Sequence, residues 1–566
     1  MRALRFALPL LLLTGCPEPT QPNDAQDIVT SDAMDTPSAD ASDDITDAGT
    51  MDVTPPWLEP WTPTPRAHFP AGFLWGSASA PYQIEGDLHN TDWHQWELLG
   101  HIANDDHADD GAQSLTHYLD DVQTLVGSGQ NSYRFGIEWA RIFRTATAWA
   151  ACRDATGDIT ARYATCRAAA DPAGLQYYHD VLAALSSHGI TPMVTLQHFT
   201  LPDYENDLAM DWHTQGWMRT GIVDDLGKWA GFVAHEYGGE VDFWVTLNEP
   251  TAFAVIAYLD GRHPPGQQLQ TDAVRQVAIN MIHSHVAMYD AIHANDTLTL
   301  TCAMPCAQPI TPARPASVSI AHHARRFFGF DPTNPRDTAA AERIDRIYNH
   351  TFFDAIVNGN LDLDLSGTLD AGEPMNDPAL RGRADYIGVN YYTTQIVANN
   401  TAIPLLRALP RPDSEPRGLP KNDLGWDLYP RGMYDTLMWV NSYGLPIMIT
   451  ENGIADHLDV NRPRFLVEHL AAVAAAIQAG ANVRGYFHWS NIDNFEWVSG
   501  YCPNFGFYSV DRTSSARTRT ARPSASLYQQ IITAGEISDT LLMSQPAYQT
   551  PASYCPDRAG PRDGGM

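Results

Sequence analysis

A regular alternation of strand-like and helix-like segments over most of the chain constrains its fold more than any other feature. Short apolar runs alternate with amphipathic stretches such as DDLGKWAGFVAHEY and RFLVEHLAAVAAAIQAG. We predict strands in the runs FLWGSAS, SYRFGIEW, TPMVTLQHF, VDFWVTLN, TLTLTCAM, ADYIGVNYY, LPIMITEN and VRGYFHWS. Eight such units with right-handed crossovers close into a parallel barrel, so we predict an α/β fold, a (β/α)8 TIM barrel with a single catalytic domain.

A doubly wound open sheet is the structural alternative. It is disfavoured because no GxGxxG pattern follows the first predicted strand and the chain contains no Walker motif. In a barrel, the chemistry lies in loops at the carboxyl ends of the strands. Candidate functional residues are therefore expected directly after the apolar runs.

The amino terminus has the composition of an export signal. Arg2 and Arg5 precede an apolar run that is too short to span a bilayer. The sequence Leu13 to Cys16 resembles the bacterial lipoprotein box, so we predict a lipoprotein signal peptide over residues 1–16 that ends at an acylated Cys16. An ordinary secretory peptide is the alternative. By the same resemblance, Pro17 after the Cys favours the outer membrane or cell surface over inner-membrane retention.

The next segment, residues 17–65, has eleven acidic residues, no Lys or Arg, and many Pro, Thr, Ser and Ala. Such a composition buries too little apolar surface to fold, so we predict a disordered acidic linker. We assign residues 66–533 to the barrel domain and 534–566 to a tail that Cys555 could staple to it. Residues 145–173 are expected to be an insertion between the second strand and its helix.

Charge and cysteine content limit the partners and the cofactors. The formal net charge of −32 and the pI near 4.8 oppose nucleic-acid binding and leave neutral sugars as compatible ligands. Six cysteines besides Cys16 favour disulfides in an exported chain. Fifteen connectivities are possible, of which we prefer Cys152–Cys166, Cys302–Cys306 and Cys502–Cys555. The spacings match no zinc signature.

Two glutamates, Glu249 in WVTLNEP and Glu451 in IMITENG, each follow a predicted strand. Glycosidic-bond cleavage uses one carboxyl group to protonate the departing oxygen and a second to attack the anomeric carbon. A single Glu after a strand is more often a loop residue or an ion-pair partner. Here Asn248 precedes the first Glu, and Trp, His, Gln and Arg recur at the ends of other runs. The pair therefore indicates glycoside hydrolysis.

From about Phe69 to Tyr528 the chain resembles glycoside hydrolase family 1, the retaining β-glucosidase family. The motifs that carry the resemblance occur in the family's order: FLWGSASAPYQIEG, YRFGIEWARI, TLQHFTLPDY, WVTLNEP, DYIGVNYYT, NDLGWDLYPRGMYDTL, ITENGIA and GYFHWSNIDNFEW. The resemblance implies that Glu249 is the acid/base and Glu451 the nucleophile. It also implies that Asn248 binds the sugar 2-hydroxyl and that Arg134 and Tyr392 donate to Glu451.

The resemblance further implies a sugar-binding set: Gln83, His198, Asn390, Trp489, Glu496 and Trp497. The family's phospho-glycosidases replace the acid that Glu496 represents, so an unphosphorylated sugar is expected. Three residues depart from common family residues and leave the glycone open among glucose, galactose and fucose: Phe199, Asn491 and Asn504.

We therefore expect a retaining β-glycosidase, similar to β-glucosidases, that cleaves terminal non-reducing β-D-glycosides through a covalent glycosyl-enzyme. A transglycosidase and a catalytically weak sugar-binding surface protein are the alternatives. No cofactor is expected, and no metal site, although the acidic run between His101 and Asp110 was considered as one. The expected partner is the β-glycoside substrate, with membrane contact only through a lipid anchor and no nucleic acid.

Overall fold

The computed structural model describes residues 59, 61, 68–310, 313–403, 405–410 and 418–556. The predicted signal peptide, Cys16 and all but two residues of the predicted linker lie outside the described residues. Among the helices that the structure describes, none combines the length and the apolar character needed to cross a membrane.

Eight parallel strands form the closed barrel that the alternation predicts. Each strand hydrogen-bonds to two neighbours, and the fifth pairs with both the fourth and the sixth. In chain order the strands are β1 (Leu74–Ala78), β2 (Ser132–Gly136), β3 (Thr191–Thr195), β4 (Phe243–Asn248), β5 (Ser317–Gly329), β6 (Ile387–Asn399), β7 (Ile447–Asn452) and β8 (Val483–Trp489). Their residues are almost all buried, because the barrel interior covers one face and helices cover the other.

A helix follows every barrel strand and packs outside it. These helices span Ser114–Gly127, Pro172–Ser187, Ile222–Tyr237, Thr271–Asn295, Pro335–Asp345, Pro430–Asn441, Arg462–Gln478 and Pro523–Ala534. Several begin with Pro in the first turn, where the missing N–H costs no hydrogen bond. At Pro172 the preceding Asp171 caps the helix by accepting from the Ala173 and Gly174 amides at 2.8 and 3.0 Å.

Shorter helices, turns and strands lie in the segments that connect or follow the barrel strands and their helices. Short α-helices span Pro81–Ile84, Asp92–Leu98, Trp139–Ile142, Ala146–Arg153, Ile159–Ala169, Pro250–Val255, Thr351–Phe353 and Asp539–Met543. Wider π turns span Ile256–Asp260, Arg346–His350 and Asp354–Asn358, and single 3-10 turns span Ala103–Asp105, Ala108–Asp110, Trp212–Thr214, Gly216–Met218 and Trp497–Ser499. Short strands at Ala408–Pro410, Tyr508–Val510 and Arg519–Ala521 complete the fold.

The prediction of the fifth strand was wrong. We placed it in TLTLTCAM, residues 297–304, which form no strand and lie largely on the surface, with Leu298 62% and Met304 53% exposed. The alternation of Thr and Leu there is β-like, but no neighbouring strand is available to it. The barrel instead uses Ser317–Gly329, where Val318 and Ile320 are fully buried and β4 and β6 supply hydrogen bonds.

The structure contains the three preferred disulfides, Cys152–Cys166, Cys302–Cys306 and Cys502–Cys555. The first joins the helices Ala146–Arg153 and Ile159–Ala169, which together separate β2 from the helix Pro172–Ser187. The third holds the carboxyl-terminal segment against the barrel. The Tyr548 hydroxyl reinforces that contact by donating to Glu468 at 2.7 Å.

Candidate active site

Glu249 and Glu451 lie at the same end of the barrel, at the carboxyl ends of β4 and β7. Glu249 follows the last residue of β4 in the left-handed backbone region (φ 46°) and precedes the helix Pro250–Val255. Glu451 is within β7 and is 3% exposed. Both side chains line one cavity with an empty volume, open solvent included, of about 820 Å³. Small-molecule sites commonly have this size.

Two donors hold the carboxylate of Glu451. Arg134, fully buried at the β2 position facing the barrel interior, donates from Nη1 to Oε1 at 2.5 Å. The Tyr392 hydroxyl donates to Oε2 at 2.6 Å. Burial raises the pKa of Glu451 above its usual range, while Arg134 and the Tyr392 hydrogen bond oppose that rise. Because both oxygens accept from strong donors, these two contacts favour the ionised form of Glu451 against the effect of burial.

Glu249 has a different environment. Its Oε1 accepts one hydrogen bond, from the Asn390 amide at 2.9 Å. Desolvation in the pocket and the negative charge of Glu451 together raise the pKa of Glu249 to about 8. Two carboxyl groups of unlike proton affinity thus face one cavity, and at neutral pH the first proton belongs on Glu249.

A hydrogen-bonded network joins the two carboxyl groups through the barrel. Arg134 also donates from Nη2 to the Asn248 side-chain oxygen at 2.8 Å. Asn390 donates to that same oxygen at 3.1 Å, and its own oxygen accepts from the Thr450 hydroxyl at 2.7 Å. Asn390 was predicted to bind sugar, and the structure places its amide on Glu249 and Asn248. Its position is therefore suited to orienting the acid.

The remaining predicted sugar-binding residues lie around the cavity. His198, Trp489, Glu496 and Trp497 line it, while Gln83 is fully buried beneath and donates to the Phe495 carbonyl at 2.7 Å. The His198 ring centroid lies 5.9 Å from that of Trp489 and 6.0 Å from that of Trp497. Four members of the predicted set therefore line the same cavity as the two carboxyl groups.

Three polar atoms in this set have no hydrogen-bond partner among the described protein atoms: Gln83 Oε1, His198 Nδ1 and Glu496 Oε2. Burial lowers the pKa of His198 well below its usual value, so the ring is neutral. Its Nε2 faces the Asn248 amide at 3.0 Å, which leaves the ring proton on Nδ1. Buried donors and acceptors without partners are costly unless a ligand satisfies them. The cavity therefore suits a compact ligand with several hydroxyl groups.

Glu496 repels a phosphate group less than an ionised carboxylate would. Burial, and then the nearby charge of Glu451, raise the pKa of Glu496 to about 8. At pH 7 in the ligand-free cavity this carboxyl is mostly protonated, so charge repulsion is weaker than a carboxylate would give. Glu496 still disfavours a phosphate group, because it supplies no positive charge to pair with one.

The three residues that depart from common family residues lie at different positions relative to the cavity. Phe199 lines the cavity with its ring centroid 5.1 Å from that of Trp497, and it offers no hydrogen-bond donor. Asn491 donates to the Thr124 hydroxyl at 2.7 Å, outside the cavity lining. The Asn504 carbonyl accepts from Arg462, also outside the lining. Of the three, Phe199 is the one placed to contact a ligand.

Several residues that line the cavity were not predicted from the sequence, among them Arg262, His323, Arg325 and Tyr348. Two of them belong to the carboxyl half of β5, the strand that was wrongly placed. Arg325 is 4% exposed, contacts Gln395 at 3.2 Å, and its positive charge partly offsets the rise in the pKa of Glu249. The alternating run SVSIA, which directly precedes HHARR, is the sequence signal that could have predicted β5 and with it His323 and Arg325.

Comparison with known proteins is consistent with this geometry. The family model for glycosyl hydrolase family 1 matches residues 65–154 and 163–537, and its gap covers the turn between the two disulfide-linked helices of the insertion and the start of the second helix. A β-galactosidase of Pyrococcus woesei is 31% identical over 512 residues, covering 82% of this chain and 97% of the relative. A bifunctional β-D-glucosidase/β-D-fucosidase of Bifidobacterium breve is 29% identical, covering 80% and 95%. The solved β-glycosidase from Pyrococcus horikoshii superimposes with a TM-score of 0.68 at 30% identity, covering 86% and 99%.

Proposed function

Because this chain belongs to glycosyl hydrolase family 1 and is a retaining β-glycosidase, we propose that Glu451 is its nucleophile and Glu249 its general acid and base. The assignment rests on one observation: the two carboxyl groups differ in their hydrogen-bond donors and in their pKa. Arg134 and Tyr392 donate to both oxygens of Glu451, whereas the pKa of Glu249 is raised to about 8. A nucleophile must be ionised and a general acid must hold a proton.

The proposed reaction has two displacements. Glu451 attacks the anomeric carbon while the glycosidic bond breaks, and the Glu249 proton moves to the departing oxygen. The glycosyl ester removes the charge of Glu451, so the pKa of Glu249 falls and its carboxylate can accept a proton from water. That water attacks the anomeric carbon, the bond to Glu451 breaks, and the sugar leaves with its original anomeric configuration.

Supporting roles follow from the contacts. We assign Arg134 and Tyr392 to holding Glu451 ionised and aimed, and Asn390 to orienting Glu249. Arg134 and His198 fix the Asn248 side chain, which we assign to the sugar 2-hydroxyl. A sugar-binding protein without turnover needs none of these contacts to Glu451, so that alternative is not favoured.

We infer that the glycone is an unphosphorylated terminal β-D-sugar. The unpartnered atoms of Gln83, His198 and Glu496 supply hydrogen-bonding positions for hydroxyl groups, and Trp489 and Trp497 supply apolar faces for the C–H surface of the ring. The named activities of the two relatives, on β-galactosides and on β-glucosides and β-fucosides, support these three sugars as candidates. Phe199 leaves the choice among them open to measurement.

A panel of 4-nitrophenyl glycosides tests this inference. We expect kcat/KM on the best of the β-D-glucoside, β-D-galactoside and β-D-fucoside to exceed that on the β-D-glucoside 6-phosphate by at least about 100-fold, because a phosphate would lose hydration and Glu496 would supply no positive charge in return. The α-D-glucoside serves as the control and should not turn over. A preference for the 6-phosphate would contradict the inference.

We also propose that the protein is exported and held at the cell envelope by lipid on Cys16, with the outer membrane or cell surface as the favoured site. The support is the sequence from Arg2 to Cys16 and the acidic spacer that follows it. A lipidated amino terminus binds a bilayer through buried methylene groups, each contributing about 0.8 kcal/mol. The acidic spacer contributes no adhesion and would hold the barrel away from an anionic surface.

Replacing Cys16 by Ser tests the anchor. We expect the wild-type chain to take up labelled palmitate and to sediment with membranes, and Cys16→Ser to be unlabelled and released with unchanged specific activity. Asp24→Asn, in the same segment, is the matched control and should remain anchored. An unlabelled wild-type chain in the soluble fraction would refute the anchor and leave the glycosidase assignment intact.

A further inference from the structure

The loop between the π turn Asp354–Asn358 and β6 carries a twelve-residue pattern that the reaction does not use. Residues 362–373 read DLDLSGTLDAGE. Calcium loops of the EF-hand type place oxygen ligands at positions 1, 3, 5, 7, 9 and 12, with Gly at position 6 and Glu at position 12. Here Asp, Asp, Ser, Thr, Asp and Glu occupy those six positions in order, and Gly367 is at position 6. The spacing is that of a ligand set rather than of a general acidic surface.

Ser366 is the one departure from the usual side chains, since position 5 commonly carries Asp or Asn. A hydroxyl group is also an oxygen ligand, so the departure preserves the chemistry. The ligand at position 7 is a backbone carbonyl, which any residue supplies. Gly367 has a φ of +84°, a conformation in which glycine carries no steric cost.

In the folded chain the carboxyl groups at positions 1, 3 and 12 of this pattern lie close together. Ligand oxygens of Asp362, Asp364 and Glu373 all lie within 4.8 Å of one another. Calcium binds oxygens at about 2.3–2.6 Å, so two ligands on opposite sides of one ion are separated by about 5 Å. Ser366 Oγ lies 3.0 Å from the Thr368 carbonyl oxygen, which places positions 5 and 7 beside each other.

The carboxyl groups of this loop have guanidinium groups, those of Arg275 and Arg343, only beyond ion-pair distance. Asp362 is 9% exposed, yet within the described part of the chain no Lys, Arg or His forms an ion pair with Asp362, Asp364 or Glu373. Arg275 donates to the Asp364 main-chain carbonyl and pairs with Asp272. A buried carboxylate is ordinarily paired with a cation or bound to a metal. Main-chain amides donate to these carboxylates, those of Ser366 and Gly367 to Asp362, but they carry no net charge. The convergence of three carboxyl groups without a close cation among the described residues is independent of the order of residues in the sequence, and both observations favour a bound cation.

We propose that residues 362–373 bind one Ca²⁺ through Asp362, Asp364, Ser366, the Thr368 carbonyl, Asp370 and Glu373. This loop is an exception to the expectation, stated above, that the chain has no metal site. None of the twelve residues lines the catalytic cavity. The ion would therefore stabilise the connection that leads into β6, the strand that carries Asn390 and Tyr392, and take no part in bond cleavage.

Binding is tested on the full chain after removal of divalent ions with a chelator. We expect titration calorimetry to show one Ca²⁺ per chain with a Kd at or below about 10⁻³ M, the upper range for extracellular modules, and at least tenfold weaker binding of Mg²⁺. Saturating Ca²⁺ should raise Tm by at least about 2 °C. With Ca²⁺ absent, kcat at 25 °C should stay within about twofold, since no ligand lies in the cavity.

Two variants and one control separate this site from unspecific binding. Glu373→Gln keeps an oxygen acceptor for the Leu363 amide but loses the bidentate carboxylate, so we expect at least tenfold weaker Ca²⁺ binding with the fold intact. Asp364→Asn should weaken binding similarly. Asp511→Asn removes an exposed carboxylate that likewise accepts a backbone amide in a turn, and it should bind Ca²⁺ as the wild type does. Absence of saturable Ca²⁺ binding to the wild type, or equal binding by all four proteins, would overturn the proposal.

Discussion

Glu451→Ala is expected to lower kcat on an aryl β-D-glycoside by at least about 10⁴-fold, because no other carboxylate can form the glycosyl ester. The variant leaves a small space beside Arg134 and Tyr392, both of which still point their donors into it. External azide can occupy that space as an anion and attack the anomeric carbon. We therefore expect azide to restore part of the activity and to yield the glycosyl azide of inverted configuration, detected by NMR.

The control for this measurement is Glu342→Ala, which removes an exposed glutamate from the helix Pro335–Asp345 and should leave kcat unchanged. Turnover by Glu451→Ala at more than a hundredth of the wild-type rate, after purification free of wild-type protein, would exclude Glu451 as the nucleophile. A retained azide product from this variant would do the same.

Glu249→Ala should depend strongly on the leaving group. For alkyl and unactivated aryl glycosides, which require protonation of the departing oxygen, we expect kcat/KM to fall by about 10²–10⁴-fold. A dinitrophenyl glycoside needs no proton, so it should still form the glycosyl-enzyme, which water then releases slowly. Azide should accelerate that release and yield the product of retained configuration. An equal loss on all leaving groups, without an azide effect, would contradict the acid/base role.

The pKa of Glu249 predicts the alkaline limb of the dependence of kcat/KM on pH. The free enzyme needs Glu249 protonated and Glu451 ionised, and the pKa of Glu249 is raised to about 8 by desolvation and by Glu451. As pH rises through about 8 the proton is lost, so kcat/KM on a substrate that needs the acid should fall. On the acid side activity falls as Glu451 gains a proton, at a pH below the alkaline limb because Arg134 and Tyr392 favour its ionised form. Both limbs report the coupled pair.

Glu249→Gln removes the titrating group and keeps the shape and the amide contact to Asn390. We expect the alkaline limb to disappear in this variant while the acid limb remains, measured as kcat/KM on the 4-nitrophenyl substrate between pH 4 and about 10. The dinitrophenyl substrate serves as the control, since its kcat/KM should show no alkaline limb even with the wild type. An alkaline limb that persists near pH 8 would show that another group supplies the proton.

Local pattern explains why much of the barrel could be predicted. Seven of the eight predicted runs coincide with barrel strands, because a strand buried on both faces must be an apolar run whatever its neighbours are. TLTLTCAM satisfies the same local rule and still lies on the surface. Strand formation also requires hydrogen-bonding neighbours, and a single segment carries no information about those. That one misplacement hid His323 and Arg325.

The calcium-loop pattern at residues 362–373 was also not predicted, but for a different reason. Every ligand position is present in the sequence with its spacing, so no tertiary information was needed to read it. The acidic segment 17–65 lacks that ordered spacing. The structure adds the spatial convergence of Asp362, Asp364 and Glu373, which a pattern alone does not show.

The sequence by itself determined the alternation that closes a barrel and the two glutamates at strand ends, because periodicity and residue type are local properties of a chain. Only the tertiary structure decided which groups act on those glutamates. Arg134 reaches Glu451 across 317 residues, and Asn390 reaches Glu249 across 141. The proton affinity of a carboxyl group depends on the charges and donors within a few ångströms and on its access to water. Those distances exist only after the eight strands have closed.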